Sequence, residues 1–150
     1  MIIRELEYED YDAASGLLWK SFYEAEKHTA TMEGMELFRD LTTAVSLSIN
    51  SMDKNLSFYG VFQGGELSAV GAIKKHSHIL LLYVLPERQG CGIGSAFLQY
   101  MESICIGDTL TVNSSDFACS FYEEKGYLKA GQRTVENGLA VTPMVKKRME

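Results

Sequence analysis

The spacing of apolar residues changes several times along the chain, and each change marks an element. Ile2 to Leu6 is a short first strand. Ala14, Leu17, Leu18, Phe22 and Ala25 then recur at helical spacing. Acidic Glu9, Asp10 and Asp12 stand at the front end, where the helix dipole favours them. Phe38, Leu41, Val45, Ile49 and Met52 predict a second helix with one apolar face. Three strands follow. Phe58 to Phe62 turns at Gln63-Gly64-Gly65-Glu66 into Leu67 to Ile73, and Lys74-Lys75-His76-Ser77 turns again into His78 to Leu85. After Pro86, glycines 90, 92 and 94 lead into a helical stripe of Phe97, Leu98, Met101, Ile104 and Cys105. Thr109 to Asn113 is a β-branched strand, and Ser115 to Lys125 a helix stopped by Gly126, a residue suited to the left-handed C-terminal position. Tyr127 begins a further strand. Asn137-Gly138 is a hairpin turn signal, and Leu139 to Lys147 returns as the last strand. Hairpins combined with strand–helix–strand crossovers predict a single-domain α/β protein with a mixed sheet.

Composition narrows the class. The chain has 150 residues, 46% hydrophobic and 23% charged, which suits one globular domain spanning 1–150 and excludes disorder as its main state. Its formal charge of −6 argues against nucleic acid as a partner, because phosphate binding needs a basic face. The longest apolar run, Ile79 to Leu85, is far short of the ~20 residues of a membrane span. No basic segment followed by an apolar stretch opens the chain, so no signal peptide is expected. Cys91, Cys105 and Cys119 are an odd count at wide spacing. They form neither a disulfide framework nor a metal pair, and a reducing, cytoplasmic location is expected.

The segment Leu82 to Ser95 is the most informative. It passes from an apolar strand through alternating glycines into a helix, a place where backbone N–H groups attract anions and a ligand can come close. Two phosphate motifs fail here. A dinucleotide fingerprint would need glycine where Phe97 stands, and the Gly-Lys-Ser/Thr of a P-loop is absent. The bland alternative is a tight turn with no ligand.

Gln89-x-x-Gly92-x-Gly94, after a strand ending Val84-Leu85-Pro86, resembles the acyl-CoA loop of the GNAT superfamily of N-acetyltransferases. Asn113 at a strand end, followed by Phe121-Tyr122-Glu123-Glu124-Lys125-Gly126-Tyr127, resembles the family's second motif. The clear match covers roughly Phe58 to Tyr127. The resemblance implies a mostly antiparallel sheet flanked by helices, with a parallel pair, the fourth and fifth strands, that splays apart. It implies acetyl-CoA as acyl-donor cosubstrate, with no metal. The amides of Gly90, Cys91, Gly92, Ile93, Gly94 and Ser95 would hold the pyrophosphate. The backbone of Leu82, Tyr83 and Val84 would pair with pantetheine, and Gln89 and Asn113 are the remaining cofactor-binding candidates. Cys91 departs from the family, which often has Lys or Arg there. One cation is thereby lost, and Arg88 would replace it only in part.

Acetyl transfer needs a neutral amine, a stabilised oxyanion and a proton for the leaving thiolate. Tyr122 matches the family's helix tyrosine and is the candidate acid; the alternative for it is core packing. His78 is the candidate base, since its pKa sits near neutrality; its alternatives are a solvated turn histidine or a water route with no dedicated base. The backbone N–H of Val84 would contact the oxyanion, by resemblance. Neither the cysteines nor the histidines show a nucleophile or metal-ligand pattern. On the amine side, Tyr23, Glu24, Glu26, His28 and Glu33 cluster near the end of the first helix, where acids would suit a cationic amine; a solvated helix end is the plainer reading. Pro143 predicts an edge or bulge position in the last strand. The expected function is N-acetyl transfer to the primary amine of a small molecule or a protein, in a chain that forms a homodimer. A non-catalytic acyl-CoA-binding or regulatory module on the same fold is the alternative.

Overall fold

A computed structural model describes residues 1–148. Its strands are β1 (Ile2–Glu5), β2 (Leu56–Gln63), β3 (Glu66–Lys74), β4 (His78–Val84), β5 (Thr109–Ser114), β6 (Leu128–Lys129), β7 (Thr134–Glu136) and β8 (Leu139–Lys147). Its helices are α1 (Tyr11–Glu26), α2 (Met32–Leu41), α3 (Ala44–Asn50), α4 (Ile93–Ile104) and α5 (Cys119–Glu124). The sheet runs β1-β2-β3-β4-β5-β8-β6, with β7 paired to β8. Every pairing is antiparallel except β4 with β5. The protein is thus a single-domain α/β fold with a mostly antiparallel sheet flanked by helices, as expected.

Two apolar cores lie on opposite faces of the sheet. One gathers Phe97, Leu98 and Met101 of α4 with Tyr122 and Tyr127. The other gathers Leu17, Leu18 and Phe22 of α1 with Phe38 and Leu47. Phe22 stacks on Phe38 with ring centroids 3.9 Å apart. Burying each such side chain contributes roughly 1.5–3 kcal/mol. Strand β4 alternates between the two cores: Leu82 and Val84 pack toward α4, Leu81 and Tyr83 toward α1, and Leu85 just after the strand also joins the α1 core.

Turn chemistry behaves as the residues dictate. Gly64 and Gly65 have φ of 59° and 83°, and Asn137 and Gly138 have 52° and 83°, so both hairpins use two left-handed residues. The Lys74 to Ser77 turn needs positive φ at Lys75 and His76.

Several predicted elements are corrected. The second helix is two helices. Thr42 donates its hydroxyl to the Phe38 carbonyl, and Thr43 starts α3 by accepting from the Ser46 N–H. The break shifts the helical phase, so Phe38 and Leu47 are buried while Leu41, Val45, Ile49 and Met52 are exposed. The helix predicted from Ser115 begins only at Cys119, because the Ser115 Oγ accepts from the Ala118 N–H and holds a turn. The strand predicted from Tyr127 is two short strands, β6 and β7. Pro143 lies in β8, between β5 and β6, rather than at an edge. Its carbonyl faces Ala130 and accepts that residue's N–H, so its missing donor also points to that side, just past the end of β6.

Candidate active site

The parallel pair governs the site. Only His78↔Thr111 and Ile79↔Val112 pair between β4 and β5. The next residue, Leu80, is the extra residue of a β-bulge, since Ala72↔Leu81 and Ile73↔Ile79 skip it in the β3–β4 register. A bulge bends its strand. Here it coincides with the point where β4 leaves β5, and Leu80 is 40% exposed. From Leu80 to Val84 the β5-facing backbone of β4 has no strand partner.

A cavity of about 340 Å³ fills the gap. Leu80 to Val84 form one wall, and Val112 to Ser115 with Phe121 and Tyr122 the other. Gln89, Gly90, Gly92, Gly94 and Ser95 line its end. Gly90 and Gly92 have φ of 81° and 83°, and a Cβ on either would meet nothing within 4 Å. These glycines therefore answer a backbone requirement and leave room in front of the loop. Gly92 is the N-terminal cap of α4 and caps it with no side-chain bond, so the first N–H groups of α4 look for partners elsewhere. This arrangement fits a phosphate-bearing cosubstrate.

Tyr122 is 3% exposed and held by the rings of Phe121 and Tyr127, both at 5.3 Å centroid distance. Its hydroxyl makes no hydrogen bond to another described residue, although Tyr122 lines the cavity. Burial holds it well above the ordinary tyrosine pKa, with Glu102 adding to the shift. It is therefore a protonated donor throughout the neutral range.

Comparison with known proteins supplies the family. The model of the Acetyltransferase (GNAT) domain matches residues 26–148. This chain belongs to the GNAT acetyltransferase family. No match is found among curated proteins. Solved structures similar in fold include a GCN5-related N-acetyltransferase from Rhodopseudomonas palustris, with TM-score 0.84, 22% identity, and coverage of 97% of this chain and 94% of that one. The PaiA N-acetyltransferase from Thermoplasma acidophilum, in complex with coenzyme A, has TM-score 0.75 and 21% identity over 97% and 98% of the two chains. The ribosomal-protein-S18-alanine N-acetyltransferase from Escherichia coli has TM-score 0.69 and 18% identity over 99% and 95%.

Within this GNAT domain the candidate residues separate. Leu82, Tyr83, Val84, Gln89, Gly90, Gly92, Gly94, Ser95, Asn113 and Tyr122 come together around the cavity. Ile93 is buried in the α4 core and Cys91 is exposed on the loop; neither side chain lines the cavity. Gln89 donates its amide to the Val84 carbonyl at 3.1 Å and so braces the loop against β4. His78 is not brought to the site. It sits at the closed end of the parallel pair, with Nδ1 2.8 Å from the Thr111 hydroxyl. Burial, aided by Lys74, pushes its pKa down. Arg88 is engaged elsewhere: its guanidinium donates to Gln63 Oε1 at 2.6 Å and Ser68 Oγ at 3.3 Å, clamping the β2–β3 hairpin. No lysine or arginine lines the cavity among the described residues. No group of three potential metal ligands occurs among them either.

The α1 side holds what sequence reasoning underrated. Glu26 is buried, 5% exposed, and accepts the Tyr83 hydroxyl at 2.5 Å. Burial raises its pKa, the Tyr83 bond opposes this, and Asp116 adds to it. Ser21 lines the cavity, 1% exposed, with no hydrogen-bond partner for Oγ among the described residues. Such an orphan costs about 1–3 kcal/mol. The i, i+4 pair of Ser21 with cavity-lining Ala25 was the available signal: two small residues on the edge of an otherwise bulky stripe. Beside it, the Thr31 N–H donates to the Gly138 carbonyl at 3.0 Å. A Cβ on Gly34 would run into that same carbonyl. These contacts latch the start of α2 to the β7–β8 turn.

Proposed function

We propose that the protein is an acetyl-CoA-dependent N-acetyltransferase that transfers the acetyl group directly to a primary amine. The observation that carries this reading is the parting of β4 from β5 beyond Ile79, with an open glycine loop at one end and the unpaired Tyr122 hydroxyl in its wall. Bound acetyl-CoA supplies an acyl group already activated as a thioester.

The chain's own residues bind, orient and protonate. On the side of β4 that faces β5, the backbone of Leu82 to Val84, apart from the Val84 carbonyl held by Gln89, offers hydrogen bonds to an extended amide-bearing arm, in the manner of an added strand. The N–H groups from Gly90 to Ser95 receive the phosphates at the start of α4. With no lining cation, the amides and the helix dipole carry that attraction. The Val84 N–H is the candidate donor to the oxygen that gains charge. The Tyr122 hydroxyl donates to the departing sulfur as charge develops there and recovers a proton through the water that takes the amine's proton, so the thiol leaves protonated and the tyrosine ends neutral; its raised pKa keeps it protonated before the step. No imidazole or carboxylate lines the cavity among the described residues, so the amine loses its proton to water at the mouth.

The test is a calorimetric titration with acetyl-CoA, with free CoA and NADH as controls. Micromolar acetyl-CoA binding that is lost in Gly92→Trp supports the loop assignment. Thiol release with a panel of amines then tests turnover. Binding without turnover for any amine would favour a non-catalytic acyl-CoA-binding module; no binding by folded protein would overturn the proposal.

A further inference from the structure

Packing places the Tyr122 hydroxyl at the cavity wall, and one of the two rings that pack it is itself held from elsewhere. Tyr127 is fully buried, and its ring meets Tyr122 edge to face, with centroids 5.3 Å apart and planes at 70°. Its backbone N–H donates to the Tyr122 carbonyl at 3.0 Å, across the turn in which Gly126 has a φ of 96°. Its hydroxyl donates to Glu102 Oε2 at 2.6 Å. Lys146 of β8 donates to both oxygens of that carboxylate at 3.2 Å, and its ammonium lies 5.5 Å from the centroid of the Tyr127 ring. A hydrogen bond to a charged acceptor is roughly twice as strong as a neutral one, and it fixes direction as well. Neither Glu102, Tyr127 nor Lys146 lines the cavity. Glu102 stands in α4, the helix that begins at the glycine loop and buries Ile93, Phe97, Leu98 and Met101 along one face. From Ile93 to Glu102 this helix rises about 13.5 Å.

We infer that Glu102 and Tyr127 are positioning residues for acetyl transfer: through them α4 acts as a spacer that fixes how far the Tyr122 hydroxyl stands from the phosphate-binding loop. This rests on the acetyltransferase reading above. Phosphates held at the start of α4 and a tyrosine tethered near its end are thereby set on one rigid element, so the thioester sulfur meets the hydroxyl without a search. Glu102 acts by way of Tyr127 and touches neither cosubstrate nor acceptor. Its negative charge also opposes loss of the Tyr122 proton, which favours the return of that proton after the thiol has left. The competing account is that these contacts only fasten β8 to α4. That account predicts lost stability, but no loss of turnover that depends on the Tyr122 hydroxyl.

The test measures kcat with n-butylamine and with an alanine-terminated peptide as acceptors, and acetyl-CoA affinity by calorimetry. Tyr127→Phe keeps the ring and removes the bond, Glu102→Ala removes the acceptor of that bond, and Glu102→Gln keeps an acceptor. In Tyr127→Phe and Glu102→Ala kcat is expected to fall about tenfold, with KM for the amine and acetyl-CoA affinity kept. Glu102→Gln should restore most of the loss. In a Tyr122→Phe background the same changes should cost nothing further, because no hydroxyl is left to place. A loss that persists undiminished in that background, or no loss at all, would overturn the inference. The placement is also read without turnover, by NMR of protein labelled with carbon-13 at tyrosine Cζ. The Tyr122 signal, identified by its absence from Tyr122→Phe, should move in Glu102→Ala and return toward its wild-type position in Glu102→Gln. Should acetyl-CoA fail to bind or no amine be acetylated, the function proposal falls by itself, and this signal decides the tether. A Tyr122 signal that stays put in folded Glu102→Ala overturns it; Tyr127→Phe gives the same reading if Glu102→Ala does not fold.

Discussion

The two ends of the cavity are built in opposite ways. The loop end is made from one continuous stretch, Leu82 to Ser95, plus the short run from Val112 to Tyr122. Its glycines stand there because a left-handed backbone is needed, and a Cβ on Gly90 or Gly92 would touch nothing. The α1 end is lined by Ser21 and Ala25, and the chain that continues from α1 is fastened at the start of α2 to the β7–β8 turn, where Gly34 is needed because another backbone lies against it. One end is specified by local conformation, the other by long-range contact. The first presents mainly backbone groups to the cavity, the second the side chains of Ser21 and Ala25.

Variants can break the two ends separately. The largest effect is expected from Tyr122→Phe, which removes the proposed proton donor and keeps the ring packing. Stopped-flow or steady-state turnover should fall about 10²–10⁴-fold, or ~3–5 kcal/mol, with acetyl-CoA affinity kept. Lost affinity instead would make Tyr122 a wall residue. Next is Gly34→Val, which should strike only the latch. Chemical denaturation should show roughly 1–3 kcal/mol lost to overpacking, while acetyl-CoA still binds. Loss of cosubstrate binding in this variant would show that the two ends are coupled. Gly92→Ala acts at the other end. Its φ of 83° makes a side chain strained, at about 1–2 kcal/mol, and calorimetry should show weakened acetyl-CoA binding with the acceptor side intact.

The smallest effect belongs to His78, which lies off the cavity. Turnover of His78→Gln should stay within about twofold of wild type; a loss on the ~10²-fold scale of base removal would make it the base after all. Its stability signature is separate. Because burial depresses the folded pKa, the unfolded chain takes up a proton first as pH falls below about 6.5. Wild-type stability should therefore drop through the window from about 6.5 down to the depressed folded value. Thermal melts across that window should show the drop in wild type and its absence in His78→Gln.

Legibility followed the same division. The hairpins at Gly64-Gly65 and Asn137-Gly138 were readable because two adjacent residues set their backbone angles. The loop and Tyr122 were readable because strand, glycines and helix follow one another without interruption. The second helix was misjudged because one hydroxyl, that of Thr43, restarts the helix and turns Leu41, Val45, Ile49 and Met52 outward. His78 was placed at the site by its distance along β4, yet the bulge at Leu80 opens the strands only beyond it.

The sequence by itself determined most of the order of elements, the glycine loop and the tyrosine that faces the gap, because each depends on neighbours a few residues apart. Only the tertiary structure decided that β4 leaves β5 at Leu80, that Arg88 serves a hairpin, and that Ser21 and Glu26 are buried without full partners. Whether a hydroxyl or carboxylate is satisfied depends on every group around it, and those groups come from distant parts of the chain.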